Sequence, residues 1–389
     1  MCKKGDKCKD LHPEGLEGSL KQECKFFKEG KCDKGDKCPF IHTKKEEVKQ
    51  KIFKQVEPKE TAVVFTNSSD FIYFDFKTDS WAFGDVYAPG GALLEYFPEN
   101  CSVVKTTSEC QHSRMIVTGG LLNQGFILNW CFGLAFKEDE EGNLALEMSY
   151  SDSNMLMPEP RMMHESVILK NGKGESMLVV IGGKTGPTPA TSNYSNKVIG
   201  MPLKEFNEAV SETCKWQILE PMICARANFG WQVINNQVFV FGGISSQQGH
   251  LPQLANPLCE KYDPITNTWE AVEIEGASPL AAFGWTVHEE KLLIVGGTDG
   301  EMLQENCWSI DFKAGKASLI NSMDIQIAMS KVFTRGNTIY SLGGYGSGGL
   351  DYTCKLGQDW EEFKHQHASL NMGISDQERE LANMAAVFF

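Results

Sequence analysis

The chain has 389 residues, of which 41% are hydrophobic, 23% charged and 10% aromatic. This is an ordinary composition for globular domains, and it excludes a largely disordered or collagen-like protein. No apolar run reaches the roughly 18 residues of a membrane-spanning helix, and no secretory signal is visible at the start. We therefore expect an intracellular protein, cytoplasmic or nuclear, without a membrane partner.

Charge and cysteine are unevenly divided between a short head and a long body. Residues 1–60 contain 16 Lys and 12 Asp or Glu and carry a net charge of +4; since the whole chain carries −14, residues 61–389 carry −18. Five of the 13 cysteines fall within the first 38 residues. Because an acidic surface repels phosphate groups, we expect any contact with nucleic acid in the head.

The head contains three thiols and one imidazole with the spacing of metal ligands. Cys24, Cys32, Cys38 and His42 are separated by seven, five and three residues. Such a set completes a tetrahedral zinc site, and so short a segment cannot fold on apolar burial alone. We therefore expect one bound Zn²⁺ that supplies the folding free energy of residues 24–42. A chance cluster in a polar tail would explain neither the order nor the spacing of the ligands.

Residues 24–42 resemble the CCCH zinc-finger family, whose members commonly bind single-stranded RNA. In that family one aromatic residue after the first cysteine and another after the third stack on bases, and Phe27 and Phe40 occupy these positions. A packing role around the metal is the other interpretation of these two side chains. Four lysines of the segment would attract RNA phosphates: Lys25, Lys28, Lys34 and Lys37.

An incomplete set of ligands precedes the complete one. Cys2, Cys8 and His12 repeat the second half of the same spacing, but a first cysteine would have to precede Met1. Three ligands leave one coordination position open, so we expect this half-site to bind zinc weakly or to be disordered. Residues 1–42 are thus predicted to form a zinc-finger region with a complete finger at 24–42 and a partial one at 2–12.

The segment that follows the head is rich in Lys and Glu. Within residues 43–60, Val48, Ile52 and Val56 recur every four residues. This stripe predicts a helical linker that Pro58 would end. The helix would either dock by its narrow apolar face or simply separate the head from the body.

The body repeats a short apolar run that ends in a pair of glycines. The pairs begin at positions 119, 182, 242, 296 and 343, with spacings of 63, 60, 54 and 47 residues. The average spacing of about 56 residues gives about six units over residues 61–389. Several units continue with an aromatic-Asp turn and a Trp, as in residues 74–81 and 262–269.

This pattern resembles the kelch repeat and implies an all-β fold, a six-bladed β-propeller with one four-stranded blade per unit. A run that is apolar on both faces suits a strand buried between neighbouring blades. The apolar residues 383–389 match the opening strand that residues 62–65 lack, so we expect one blade to be shared by both chain ends. Four tryptophans are predicted to fill wedges between blades: Trp81, Trp216, Trp269 and Trp360.

Loop lengths indicate a working face of the propeller. The loop between the second and third strands of a blade and the connection to the next blade emerge on one side, which we name the loop face. Long examples are predicted at residues 82–111, 184–196 and 244–258, and a protein partner is expected there. Arg161 and His164, in one connection, are interpreted as packing residues rather than a catalytic pair.

The predicted function is a non-catalytic, zinc-binding adaptor whose finger contacts single-stranded RNA and whose propeller binds a protein partner. A pure protein–protein interaction scaffold with a structural zinc finger is the alternative. Propellers that resemble kelch proteins include sugar-converting enzymes, but the body shows no nucleophile elbow, convergent carboxylate pair or metal-ligand cluster. We therefore expect neither an enzyme nor a small-molecule substrate.

Overall fold

The structure is a computed structural model of the chain, and it describes residues 54–56, 60–65, 69–78, 80–106, 114–139, 142–148, 155–204, 215–246, 251–347, 352–356, 358–362 and 386–388. The predicted zinc-finger region and most of the predicted linker lie outside these residues. The domain boundaries after residues 42 and 60 therefore stay predictions.

The body is an all-β propeller, in which the described residues form six blades of four strands. Blades 1 and 2 are joined into one continuous sheet, because their fourth strands pair in parallel at Val86 and Tyr87. The first strands of several neighbouring blades contact one another around the ring axis. The blades, each given from its first to its fourth strand, are blade 1, Ala386–Phe388, Thr61–Phe65, Asp70–Asp75 and Ser80–Tyr87; blade 2, Ser102–Lys105, Met115–Thr118, Cys131–Glu138 and Leu144–Met148; blade 3, Glu165–Lys170, Ser176–Ile181, Val198–Pro202 and Gln217–Leu219; blade 4, Gly230–Ile234, Gln237–Phe241, Cys259–Asp263 and Thr268–Val272; blade 5, Gly284–His288, Lys291–Val295, Gln304–Asp311 and Lys316–Ile327; and blade 6, Lys331–Arg335, Thr338–Leu342, Tyr352–Lys355 and Trp360–Glu362.

The two ends of the body meet in blade 1. Ala386–Phe388 lies antiparallel to Thr61–Phe65, with Val387 opposite Val63. Thr61–Phe65 is buried along its whole length. The C-terminal strand therefore covers an edge that would otherwise expose unpaired backbone N–H and C=O groups, and it closes the ring.

The five glycine pairs follow the second strands of blades 2 to 6, at the turn towards the third strand, and all of these glycines have a positive φ. At Gly296, φ is +62° and a Cβ atom would lie 2.0 Å from the carbonyl oxygen of Ile327. Both the backbone conformation and the close approach of a second chain segment exclude a side chain there. This requirement explains why the glycines recur in the sequence.

The hydrophobic core lies between the blades. Among the described residues, six clusters of buried side chains each draw on two neighbouring blades, including the pair formed by blades 6 and 1. Fully burying one large apolar side chain contributes about 1.5–3 kcal/mol, so each blade depends on its neighbours for stability. The four tryptophans pack against these clusters as predicted: Trp81, Trp216, Trp269 and Trp360.

The predicted helical linker is wrong for the part of it that the structure describes. Lys54–Gln55 is a strand that pairs with Lys137 and Glu138 in blade 2, and the amide of Val56 donates to Phe136 O at 3.2 Å. Val56 also packs against the cluster between blades 1 and 2. A free strand edge and a place in the core outweigh the weak helix preference of this segment.

The long loop predicted at residues 82–111 is also wrong, because strands of blades 1 and 2 occupy much of it. The connection between these strands is residues 88–101, and it is anchored by Phe97, whose ring stacks on Phe65 at 4.2 Å. The other two predicted loops are second-to-third loops that contain short strands. In the loop of blade 3, Lys184–Thr185 pairs with Asn193–Tyr194 and with Arg161–Met162 of the preceding connection, and Pro189–Thr191 forms one turn of 3-10 helix. In the loop of blade 4, Ile244–Ser245 pairs with Gln253–Leu254.

The cysteines of the body that the structure describes form no disulfide bond. Six cysteines of the body lie in the described residues, all six are free, and four of them are buried.

Within the described ranges, no helix has both the length and the apolar character needed to cross a membrane.

Candidate functional site

The side chains predicted to bind zinc and RNA lie outside the described residues. They are the complete ligand set Cys24, Cys32, Cys38 and His42, the partial set Cys2, Cys8 and His12, the aromatic residues Phe27 and Phe40, and Lys25, Lys28, Lys34 and Lys37. Their roles stay predictions. The part of the candidate site that the structure describes is the loop face of the propeller.

A repeated backbone contact holds the loop face together. In the pairs of blades 2 to 5, the second glycine donates its amide to the segment that leads to the next blade, as Gly183 does to Arg226 O at 2.8 Å and Gly243 does to Leu280 O at 2.9 Å. The same bond joins Gly120 to Arg161 O at 2.7 Å. The second-to-third loops of blades 2 to 5 are thereby fixed to the segments that lead to the neighbouring blades, which makes this part of the face a rigid platform.

A second repeated contact encircles the ring axis. Met163 donates its amide to Asn100 O at 2.9 Å, and Asn228 donates in turn to Met163 O at 3.2 Å. Ala282 and Met329 continue the series, at 3.1 and 2.7 Å. All five residues have a positive φ between 52° and 58°, a conformation that costs free energy in residues other than glycine. The strain is offset because each residue links two adjacent blades.

Two buried arginines brace the loops of blades 3 and 4. Arg226 donates from Nη1 to Gly242 O at 2.7 Å and to Leu258 O at 3.1 Å, at the two ends of the blade 4 loop. Its Nη2 bonds the carboxylate of Glu260 at 2.5 Å. Arg161 makes the equivalent backbone bonds in blade 3, both at 2.9 Å, but its guanidinium has no such carboxylate partner among the described residues.

His164 and Arg161 are packing residues, as the sequence predicted. Arg161 is 1% exposed and His164 is 2% exposed. A hydrogen bond of 2.8 Å joins His164 Nε2 to Thr118 Oγ1. Burial, together with the nearby Arg161 charge, lowers the pKa of His164 to about 3, so the imidazole is neutral at physiological pH.

Glu165 and Lys331 influence each other electrostatically near the ring axis. Glu165 opens the first strand of blade 3 and Lys331 that of blade 6, and these blades face each other in a ring of six. Burial raises the pKa of Glu165 to about 7, whereas the Trp231 indole, which donates to its carboxylate at 3.1 Å, and the Lys331 charge oppose the shift. Burial lowers the pKa of Lys331 to about 8, against the attraction of Glu165.

Exposed apolar side chains concentrate on the loop face. Of the fourteen large hydrophobic residues that the structure leaves exposed within its described ranges, eight lie in second-to-third loops or in connections between blades. Soluble proteins rarely expose such residues together unless the surface binds a partner. The eight are Leu93, Tyr96, Phe126, Leu156, Ile223, Leu251, Met302 and Tyr345.

The sequence did not reveal several of these residues. Glu260 lies in the strand Cys259–Asp263, and no residue close to it in the sequence indicates a partner for its carboxylate. Its partner, Arg226, lies 34 residues away. The Glu165 and Lys331 pair joins residues that only the closed ring brings together. For the exposed apolar residues, the signal in the sequence was loop length. Loop length predicts which face binds a partner, but it does not predict which side chains are exposed there.

The described side chains offer a binding surface and no recognisable metal centre. Within the described part of the chain, no group of three or more His, Cys, Asp or Glu side chains is placed to hold a metal ion. What this surface presents instead is a rigid rim of loops with apolar tips. Such a surface can bind the surface of another macromolecule.

Comparison with known families agrees with both parts of the sequence. Residues 21–44 match the model described as "Zinc finger C-x8-C-x5-C-x3-H type (and similar)", and residues 225–273 match the Kelch motif. The first two cysteines of this chain have seven residues between them where the family pattern has eight.

Individual relatives resemble parts of the propeller. Kelch-like protein 25 of Xenopus tropicalis is 26% identical over 174 residues, which is 44% of this chain and 27% of that protein. Kelch-like protein 28 of Mus musculus is 28% identical over 148 residues, 37% of this chain and 24% of that protein. N-acetylneuraminate epimerase of Salmonella enteritidis is 29% identical over 93 residues, 23% of each chain.

Each match spans about a quarter of the relative's length. The blade arrangement and the matches support the same conclusion about the body. The chain carries a CCCH-type zinc-finger sequence and a kelch-repeat β-propeller.

Proposed function

We propose that the chain is a non-catalytic adaptor that contacts single-stranded RNA through its zinc finger and holds a protein partner on the loop face. The proposed protein-binding role of the loop face is supported by the concentration of exposed apolar side chains on rigid loops that are fixed to neighbouring blades. The partial similarity to kelch-like proteins supports a binding role for the propeller.

Zinc is the cofactor that the donor set fits. Cys24, Cys32, Cys38 and His42 supply three thiolates and one imidazole, the ligands of a closed structural zinc site. The bound ion would fold residues 24–42 and leave no open coordination position for catalysis. The partial set Cys2, Cys8 and His12 supplies three ligands and would bind zinc weakly or be disordered.

RNA would be bound by stacking and by charge. Phe27 and Phe40 would stack on unpaired bases, and the lysines between the ligands would attract phosphates. One finger makes few phosphate contacts, so the affinity of the finger alone would be low. A partner bound on the propeller would raise the effective affinity through avidity if it also engages the RNA.

The proposed location is inside the cell, in the cytosol or the nucleus. The six free thiols of the described residues suit a reducing compartment, because secreted proteins of this cysteine content commonly form disulfides. We also propose a zinc-finger region at 1–42, followed by a linker that ends before Lys54–Gln55, where the chain pairs with blade 2 of the propeller.

The proposal is tested by the binding of labelled single-stranded RNA to the purified full chain, followed by fluorescence anisotropy. Wild-type protein should bind, and chelation of zinc or the Cys38→Ser substitution should abolish binding while the propeller still unfolds at its normal temperature. A duplex RNA of the same sequence is the matched control and should bind more weakly. Equal binding with and without zinc would contradict the role of the finger.

A protein–protein interaction scaffold with a structural finger is the second candidate, and the net charge of −18 on residues 61–389 favours it. A body of this charge repels RNA at low ionic strength. This candidate predicts that zinc removal weakens binding of the protein partner and leaves RNA binding absent in every condition.

A further inference from the structure

The second-to-third loops over blades 4, 5 and 6 differ in charge from those over blades 2 and 3, which contain two Lys and no Asp or Glu. Those over blades 4, 5 and 6 are residues 242–258, 296–303 and 343–351, and together they contain three acidic residues and no Lys or Arg. Asp299 and Glu301, both in the loop of blade 5, are exposed. The three loops therefore form an acidic sector of the loop face without Lys or Arg side chains, and both of its described carboxylates lie in the loop of blade 5.

The same three loops each present one large apolar side chain to solvent. Leu251 is 84% exposed, Met302 is 59% exposed and Tyr345 is 44% exposed. In contrast, among the described residues of the turns on the opposite face, only Ile265 is a large exposed hydrophobic residue. The apolar surface is thus specific to one side of the propeller.

Contacts between the loops make the sector continuous. A Cβ atom on Gly300 would lie 3.8 Å from Leu254 Cγ, and one on Gly346 would lie 3.5 Å from Leu303 Cδ1. The loop of blade 5 therefore lies directly beside the loops of blades 4 and 6.

The blade 5 loop is also internally braced. Asp299 Oδ1 accepts the amides of Glu301 and Met302, both at 2.9 Å, and Asp299 Oδ2 accepts Gln304 Nε2 at 2.8 Å. The carboxylate that binds these amides has a lowered pKa, so it stays ionised and keeps the loop in place at neutral pH. Glu301 and Met302 are therefore presented in a fixed conformation.

We propose that this acidic apolar patch, formed by Leu251, Met302, Tyr345, Asp299 and Glu301, binds a segment of a protein partner that carries Lys or Arg beside aliphatic or aromatic side chains. The inference rests on the proposed function, because it names the chemistry of the partner on the loop face. Carboxylates attract the cationic heads, while the methylene stems of Lys and Arg cover the apolar side chains. The Tyr345 ring offers a cation–π contact to the same groups, and the patch repels RNA phosphates.

The test is selection of peptides from a random phage-displayed library on the immobilised full chain. Enriched peptides should carry net positive charge and large apolar residues. Their Kd for the purified full chain, measured by fluorescence anisotropy, should rise about tenfold in Glu301→Lys and in Met302→Ser, and should rise with salt in the wild type. Both positions are exposed, so unchanged thermal unfolding would show that the variants fold.

Matched control variants lie on the opposite face. Glu289→Lys reverses an exposed charge, and Ile265→Ser removes an exposed apolar side chain; both should leave the peptide Kd unchanged.

Enrichment of acidic peptides whose binding still depends on the loop face would overturn the proposed partner chemistry and leave the adaptor function standing. Peptides that bind Glu301→Lys and Met302→Ser as tightly as wild type would overturn the site. The absence of any enriched peptide would overturn both the patch and the protein-binding half of the proposed function, whereas RNA binding by the finger is measured independently.

Discussion

Arg226 and Glu260 form an ion pair in which neither side chain is exposed to solvent. The pair joins the connection between blades 3 and 4 to the third strand of blade 4. Glu260 also accepts the amides of Ile223 and Cys224, at 2.6 and 3.1 Å. The carboxylate therefore organises the connection as well as neutralising the arginine.

Removing one member of this pair should destabilise the propeller strongly. Glu260→Ala leaves a buried guanidinium charge without its partner, and we expect the free energy of unfolding to fall by about 3–5 kcal/mol. Urea denaturation of the full chain measures the loss. Glu175→Ala, which breaks the exposed pair with Lys204, is the matched control and should cost far less stability, because solvent screens an exposed pair. A Glu260→Ala protein as stable as this control would show that the pair is dispensable.

Ring closure makes a second prediction about stability. Deleting residues 384–389 removes the strand Ala386–Phe388 and exposes the buried edge of Thr61–Phe65. The loss should be several kcal/mol, comparable with the total stability of many domains. Thermal unfolding of the truncated chain should show a large drop or insolubility. An unchanged melting temperature would mean that the last strand contributes nothing to the ring.

The axial carboxyl predicts a dependence of stability on pH. Burial raises the pKa of Glu165 from 4.5 to about 7. Between these values the unfolded chain loses the proton and the folded protein keeps it, so this group makes the free energy of unfolding fall as pH rises. The contribution is on the order of 1–3 kcal/mol.

Glu165→Gln tests this contribution, because the amide does not titrate. Denaturation of the full chain at several pH values between about 4.5 and 7 should show a shallower fall in the variant than in wild type. Glu361→Gln, at an exposed position of an outer strand, is the control and should keep the wild-type slope. The same slope in all three proteins would rule out an effect of Glu165.

The finger predicts a fixed metal stoichiometry. Elemental analysis of the dialysed full chain should find one zinc per molecule, and Cys38→Ser should reduce it to a trace. The matched control is Cys8→Ser in the partial set, which should leave the zinc content at one. Two stoichiometric zincs or none in the wild type would contradict the assignment of the ligands.

The features that could be predicted from the sequence have local causes. The glycine pairs mark backbone positions with positive φ and no room for a side chain, as at Gly296, so their spacing predicts the blades. The apolar ending of the chain predicts a strand, and Ala386–Phe388 is a strand. Trp81 packs between blades 6 and 1 because only a large side chain fills such a wedge.

The features that could not be predicted depend on contacts between distant residues. The sequence predicts that Lys54–Gln55 is part of a helix, but these residues form a strand because they pair with an open strand edge at Lys137. The first part of the loop predicted from residue 82 is strand, because it pairs with Asp70–Asp75 and, at Val86, in parallel with Leu146 of blade 2. The exposure of side chains on the loop face could not be predicted for the same reason. Phe97, for example, is a loop residue that is buried because it packs in the cluster between blades 1 and 2.

The central claim, that the finger contacts single-stranded RNA, is tested most directly by ultraviolet crosslinking of the full chain to RNA in cells. We compare wild type with a Phe27→Ala and Phe40→Ala double variant whose zinc content has been measured. Each stacked base contributes about 1–3 kcal/mol by alanine substitution, so the variant should keep its zinc and lose most of the crosslinked RNA. Equal crosslinking of the two proteins, or crosslinks that map only to the propeller, would contradict the proposal.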